Sequence, residues 1–170
     1  QIKVGHVEAG LRTGNIYSPW PEEGNRKLTG AIADFHFAPT ETSKQNLQKE
    51  NIDPEKIIVT GNTTFEAMRA FAPQVAASDI LLRLKLEPKN YILVTAHRSE
   101  NVDNPESLGT IFKALGKLAE RYQLEIIYPM HPRTKSKLGE LDIPPQVRIM
   151  EPLGFYDFNQ LLKKSFCVLS

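Results

Sequence analysis

His6 to Gly14, HVEAGLRTG, followed by Tyr17 to Arg26, YSPWPEEGNR, is the stretch from which the chain is best read. It opens as a small apolar strand over residues 2–7 that runs out into Ala9-Gly10, with Glu8 at the strand's C-terminal edge. In an open α/β sheet that edge is where ligands bind, because the loops leaving the strands form the crevice. Pro19 and Pro21 then stiffen the approach to a helix, since each fixes its own φ and pushes the preceding residue toward extended geometry. The helix is expected to begin at about Pro21, because proline suits a first turn and Glu22 and Glu23 suit the positive end of the helix dipole. Glu23 reads as a dipole-stabilising residue. Glu8 and Glu22 read as chemical, two carboxylates able to face one cleft.

Working outward, strands and helices alternate almost without interruption. A helix over 22–34 leads to a strand at 35–38, a helix capped by Thr40 or Thr42 and running to about Glu50, a strand at 57–60 and a helix around 65–71. Parallel strands need crossovers and helices supply them, so the alternation predicts parallel sheet. Residues 72–79 change character, and a second series follows. It comprises a helix at 80–84, a strand at 91–95, a helix at 107–122, a strand at 124–128, a short helix at 134–138, a strand at 147–150, a helix at 156–164 and a strand at 166–169. The expected architecture is α/β, two doubly wound parallel-sheet domains with a cleft between them. Residues 1–61 belong to the first, 62–78 to the connection and 79–170 to the second.

The first three strands of the second series deliver polar residues to their C-terminal ends. YILVT (Tyr91–Thr95) presents His97 and Arg98, and the strand at 124–128 presents His131 and Arg133. Histidine titrates near neutral pH and can carry charge against a diphosphate or move a proton, while arginine grips phosphate oxygens bidentately. The strand at 147–150 leads into EPLGFYDF (Glu151–Phe158), whose aromatic residues pack a helix or stack on a flat base.

Composition narrows the field. The 170 residues are 41% hydrophobic and 24% charged, the balance of a globular protein that buries a core. A formal net charge of +1 provides no broad basic field, so nucleic acid is not the expected partner. No apolar run approaches the ~20 residues of a membrane span, so no membrane partner is expected. The single cysteine, Cys167, sits in an apolar run and reads as core packing in a reducing, cytoplasmic setting. His6, His36, His97 and His131 lack metal-ligand spacing, and no Walker loop or GxGxxG is present. Gln1 at the start and a final strand with nothing after it suggest an excerpt of a longer protein.

HVEAGLRTG with PWPEEGNR, GNT (Gly61–Thr63), TAHRSEN (Thr95–Asn101) and EPLGFYDF together resemble the non-hydrolysing UDP-N-acetylglucosamine 2-epimerases, across essentially all 170 residues. The resemblance implies two Rossmann-like domains, a homodimer, and a role in making cell-surface polysaccharide. It implies interconversion of UDP-GlcNAc and UDP-ManNAc, without metal or redox cofactor, by elimination of UDP to 2-acetamidoglucal and re-addition. Glu8 and Glu22 match the acid/base carboxylates, His97 the group that steadies the diphosphate, and Leu153 and Phe158 the uracil-side positions. Arg98, His131 and Glu22 match positions that in some bacterial members touch a second, allosteric UDP-GlcNAc, although this chain reads MHPRT where many of them read HLNP. A phosphate-contacting Arg, a further catalytic Asp, and a Ser-Gly-Gly plus Glu are expected outside these residues. The alternatives carried forward are a hydrolysing relative that releases UDP and ManNAc, a glycosyltransferase of the same shape, and a UDP-sugar sensor.

Overall fold

The computed structural model describes residues 2–96, 104–139 and 141–170. The chain divides into two compact units, residues 1–70 and 71–170.

In the first unit β1 (Gly5–Val7), β2 (Phe35–Ala38) and β3 (Ile57–Val59) form a parallel three-stranded sheet in sequential order, with His6, His36 and Ile57 in one row. The strand expected over 2–7 begins only at Gly5, because Asp34 takes the preceding backbone for itself. Its carboxylate accepts from Val4 N and Lys3 Nζ, and Val4 O accepts from Asp34 N and Phe35 N. Helix α1 (Glu22–Ile32) starts directly after Pro21 with two acids in its first turn. Helix α2 (Glu41–Lys49) is capped by Thr40, whose hydroxyl accepts from Ser43 N at 3.1 Å. Leu47 of α2 is fully buried against Ala9, Ala38 and Ile57, the small core of this unit. Helix α3 (Thr63–Ala70) closes it.

The second unit starts with α4 (Ala72–Ala76), which forms where the sequence reading saw only a change of character. Pro73 stands at its start, a position that needs no N–H donor. It is followed by α5 (Ile80–Leu84), β4 (Tyr91–Val94), α6 (Pro105–Tyr122), β5 (Glu125–Pro129), α7 (Pro132–Lys135), β6 (Val147–Met150), α8 (Phe155–Lys164) and β7 (Cys167–Leu169). The short helix expected at 134–138 begins two residues earlier, again with proline at its start. The four strands are parallel in the order β6-β5-β4-β7.

Strand periodicity explains how this sheet is covered on both faces. Ile92, Val94, Ile126 and Tyr128 point toward α6 and its Leu108, Phe112, Leu115 and Ala119. Tyr91, Leu93 and Ile127 point the other way, onto Ile80, Leu86 and Leu161. A sheet buried on two sides reads as continuous apolar strands, which is what YILV and IIY are. Cys167 is half-buried against the first of these clusters. The strand order has a consequence for binding. From β4 the chain winds outward through β5 to β6, then returns to place β7 on the other side of β4. The C-terminal ends of β4 and β7 therefore mark a topological switch point, the kind of place where open α/β sheets bind their ligands.

Candidate functional site

The loop after β1 is folded back tightly onto α2. Ala9 is buried and its N–H donates to Phe37 O at 3.0 Å, extending the ladder by one residue. Gly10 has φ +82°, and a Cβ there would lie 2.1 Å from Ser43 O, so only glycine fits. Asn46 Nδ2 donates to Gly10 O at 3.0 Å. Arg12 Nε and Nη2 donate to the two oxygens of Glu50 at 2.8 and 2.7 Å, and Nη1 donates to Leu11 O. That bidentate pair holds the Glu50 carboxyl below its usual range, chiefly through the hydrogen bond from Arg12.

Glu23 has a larger part than helix-dipole stabilisation. It is fully buried, and its carboxylate accepts from Thr13 N at 3.2 Å and Gly14 N at 3.4 Å. Thr13 Oγ1 in turn donates to Ser18 O at 2.7 Å. The RTG turn is thus pinned to the first turn of α1.

Glu8 occupies the point where β1 stops, in the left-handed region at φ +59°, and is half-buried. Left-handed geometry is unfavourable for a residue with a Cβ and persists where surrounding structure imposes it. Ala9 on one side and the β1 ladder on the other do so here. The Glu8 carboxylate accepts from Thr63 Oγ1 at 3.0 Å, a contact contributed by the GNT segment. Glu22 is exposed and ion-paired with Arg26 one helical turn on. The two carboxylates thus take different partners within the same unit.

Beneath this loop His6 and His36 are adjacent in register, with ring centroids 6.3 Å apart. Nδ1 of each is buried without a hydrogen-bond partner. Burial lowers both pKa values, and for His6 the neighbouring His36, Arg12 and Arg26 lower it further. Both rings are therefore neutral at physiological pH.

In the second unit the chain leaves β4 at the switch point. Thr95 N donates to Leu169 O at 2.8 Å and Tyr128 OH donates to Ala96 O at 2.8 Å, so the strand end is fixed up to Ala96. His97 and Arg98 lie outside the described residues. His131 is exposed at the end of β5, where its carbonyl accepts from Thr134 N and Lys135 N. Lys135 Nζ reaches Glu151 Oε1 at 2.6 Å and ties that loop to EPLGFYDF. Leu153 and Phe158 are half-buried against the Ile80-Leu161 cluster, each keeping an accessible side. Among the described residues no three His, Cys, Asp or Glu gather as metal ligands.

Sequence reading placed Glu8 at the C-terminal end of the first strand, and the structure has it there, directly after β1. It missed Thr63 as the partner of Glu8, Glu23 as the anchor of the RTG turn, and a polar cluster of Ser78, Arg83 and Asp157 in the second unit. None of these pairings has a local signature, because the partners lie 9 to 79 residues apart, beyond the reach of helix or strand periodicity.

The family model described as UDP-N-acetylglucosamine 2-epimerase matches residues 1–170. The chain belongs to that family. UDP-N-acetylglucosamine 2-epimerases similar to it include the protein from Bacillus subtilis, 41% identical over the whole of this chain and 45% of the other. The one from Salmonella typhimurium is 42% identical, over the whole of this chain and 48% of the other. Among solved structures, the epimerase from Neisseria meningitidis bound to UDP-GlcNAc superposes with a TM-score of 0.87 at 37% identity, covering 98% of this chain and 47% of the other. The chain spans about half the length of the curated epimerases it matches.

Proposed function

We propose that the protein is a non-hydrolysing UDP-N-acetylglucosamine 2-epimerase that interconverts UDP-GlcNAc and UDP-ManNAc. The observation that carries this reading is Glu8, a carboxylate fixed at a strand's C-terminal end and hydrogen-bonded by Thr63, within a chain that belongs to the epimerase family. The UDP-GlcNAc-bound relative from Neisseria meningitidis supports the choice of substrate.

The C2 hydrogen of the sugar is weakly acidic, so its removal requires a base held against it. Glu8 takes that proton while the electron pair of the C2–H bond forms the C1–C2 double bond and the C1–O bond breaks. UDP departs with the bonding pair, leaving 2-acetamidoglucal. Re-addition of UDP at C1, with a proton delivered to the opposite face of C2, completes the inversion. Glu22 is the second acid/base carboxylate. By its match to the family motif, His97 is the group that steadies the charge growing on the diphosphate. Leu153 and Phe158 take the uracil side. Arg98 and His131 belong to a second UDP-GlcNAc site that regulates the first. The reaction uses the chain's own acids and bases, without metal or redox cofactor. A cytoplasmic homodimer supplying cell-surface polysaccharide completes the reading.

A hydrolysing relative would share the elimination and differ in its fate, releasing UDP and free ManNAc. The full-length protein incubated with UDP-GlcNAc is expected to give UDP-ManNAc with no stoichiometric build-up of UDP in a coupled assay. Free UDP accumulating with ManNAc would assign the hydrolysing outcome instead.

A further inference from the structure

The first turn of α8 is held from outside the helix. Its N-cap is Gly154, which has no side chain to cap with. Asp157 in that turn accepts at Oδ1 from Ser78 Oγ at 2.6 Å and at Oδ2 from Arg83 Nη2 at 2.5 Å. Arg83 Nε also donates to Asp79 Oδ1 at 2.7 Å, and Ser78 Oγ accepts from Ile80 N at 3.3 Å. Ser78 and Asp79 are the two residues that lead into α5, so one carboxylate joins the start of α8 to the start of α5. On the same turn Phe71 packs its ring against Phe155 and Tyr156, at centroid distances of 6.0 and 5.9 Å.

An acid in a first turn needs none of this to satisfy the helix dipole. Nor does α8 need it to stay docked, because Leu161 is fully buried in the core one face below. What the cluster does fix is the rotation and advance of residues 153–158. Asp157 immediately precedes Phe158, and Leu153 lies just before the N-cap. A displacement of the turn would move both together relative to the strand ends of β4 and β6.

We propose that Asp157, held by Ser78 and Arg83, is a positioning residue that sets residues 153–158 to receive the nucleobase end of a nucleoside diphosphate. This rests on the reading of Leu153 and Phe158 as the uracil side. The carboxylate touches no part of the ligand and acts through the turn it anchors.

Two probes separate a positioning role from general loosening of the unit, UDP and inorganic pyrophosphate, the second lacking the base. Titration calorimetry on the full-length protein is expected to show Asp157→Asn raising the Kd for UDP by about 5-fold or more, the scale on which a charge-assisted hydrogen bond acts. The Kd for pyrophosphate is expected to stay unchanged. Arg83→Met, a change at a half-exposed side chain, is expected to move UDP affinity the same way by a smaller factor, and it decides the matter should Asp157→Asn fail to fold. Equal weakening of both probes, or no change in either, overturns the positioning role while leaving the uracil assignment intact. Wild-type protein binding pyrophosphate as tightly as UDP would overturn the uracil assignment itself, and the positioning role with it.

Discussion

Glu8 and Thr63 are joined by a 3.0 Å hydrogen bond across 55 residues of sequence, the hydroxyl donating to a carboxylate that sits in left-handed backbone geometry. The bond brings the start of α3 to the end of β1. A base, the role proposed for Glu8, must be aimed as well as present, because misplacement by about 1 Å can cost on the order of 100-fold in rate. Thr63→Val removes the donor at nearly constant shape and is expected to lower kcat by about 10-fold with the fold intact, whereas Thr63→Ser should restore most of the loss. Equal rates for the Val and Ser variants would show that the hydroxyl does not orient Glu8.

Arg12 and Glu50 form the most enclosed ion pair described in the first unit, with side-chain exposures of 8% and 32%. Removing one partner leaves the other charge uncompensated. Glu50→Gln is expected to destabilise the full-length protein by about 2–3 kcal/mol, below the full penalty for a deeply buried pair because Glu50 is partly solvated. Denaturant titration reads this directly, and a loss under about 0.5 kcal/mol would show that water already screens the pair.

Gly10 is the position where the HVEAGLRTG loop meets α2. Gly10→Ala would place a methyl carbon 2.1 Å from Ser43 O at φ +82°, so backbone must move. The expected cost is about 3 kcal/mol or more, combining overpacking with left-handed strain. A thermal melt indistinguishable from wild type would mean that the loop yields freely, contrary to the bonds that tie it to Phe37, Asn46 and Glu50.

His6 and His36 give the first unit a pH dependence of definite sign. Burial holds both below their ordinary value of 6.5, so the unfolded chain takes up protons first as pH falls. Stability is complete well above pH 6.5 and is lost progressively as pH falls through that value, before the Glu50 carboxylate, lowered by its arginine partner, begins to protonate. His36→Gln is expected to flatten the fall in Tm between about pH 7 and pH 5.5. An unchanged slope would place the titrating groups elsewhere.

Much of this architecture is legible in the sequence, for local reasons. Parallel strands buried on both faces must be continuous apolar runs, so YILV and IIY declare themselves, and Pro21 and Thr40 mark helix starts by chemistry that acts within a few residues. Glu8 stood out because an acid ending an apolar strand is poorly explained by solvation. The strand boundary at Gly5 was not legible, since it is set by Asp34 claiming the backbone of Val4 from a distant turn. Glu23 read as a helix-start acid because that is its local setting, and its grip on Thr13 and Gly14 depends on how the YSPWPE segment turns back. The Asp157 cluster joins residues 79 and 74 positions apart, a distance at which periodicity carries no information.

The most direct test of the account is proton NMR of the full-length protein with UDP-GlcNAc in deuterated water, comparing wild type with Glu8→Gln. Wild type is expected to replace the sugar C2 proton with deuterium as UDP-ManNAc appears, and Glu8→Gln to lose that exchange while still binding UDP. Exchange persisting at the wild-type rate in Glu8→Gln would contradict the assignment of Glu8 as the base.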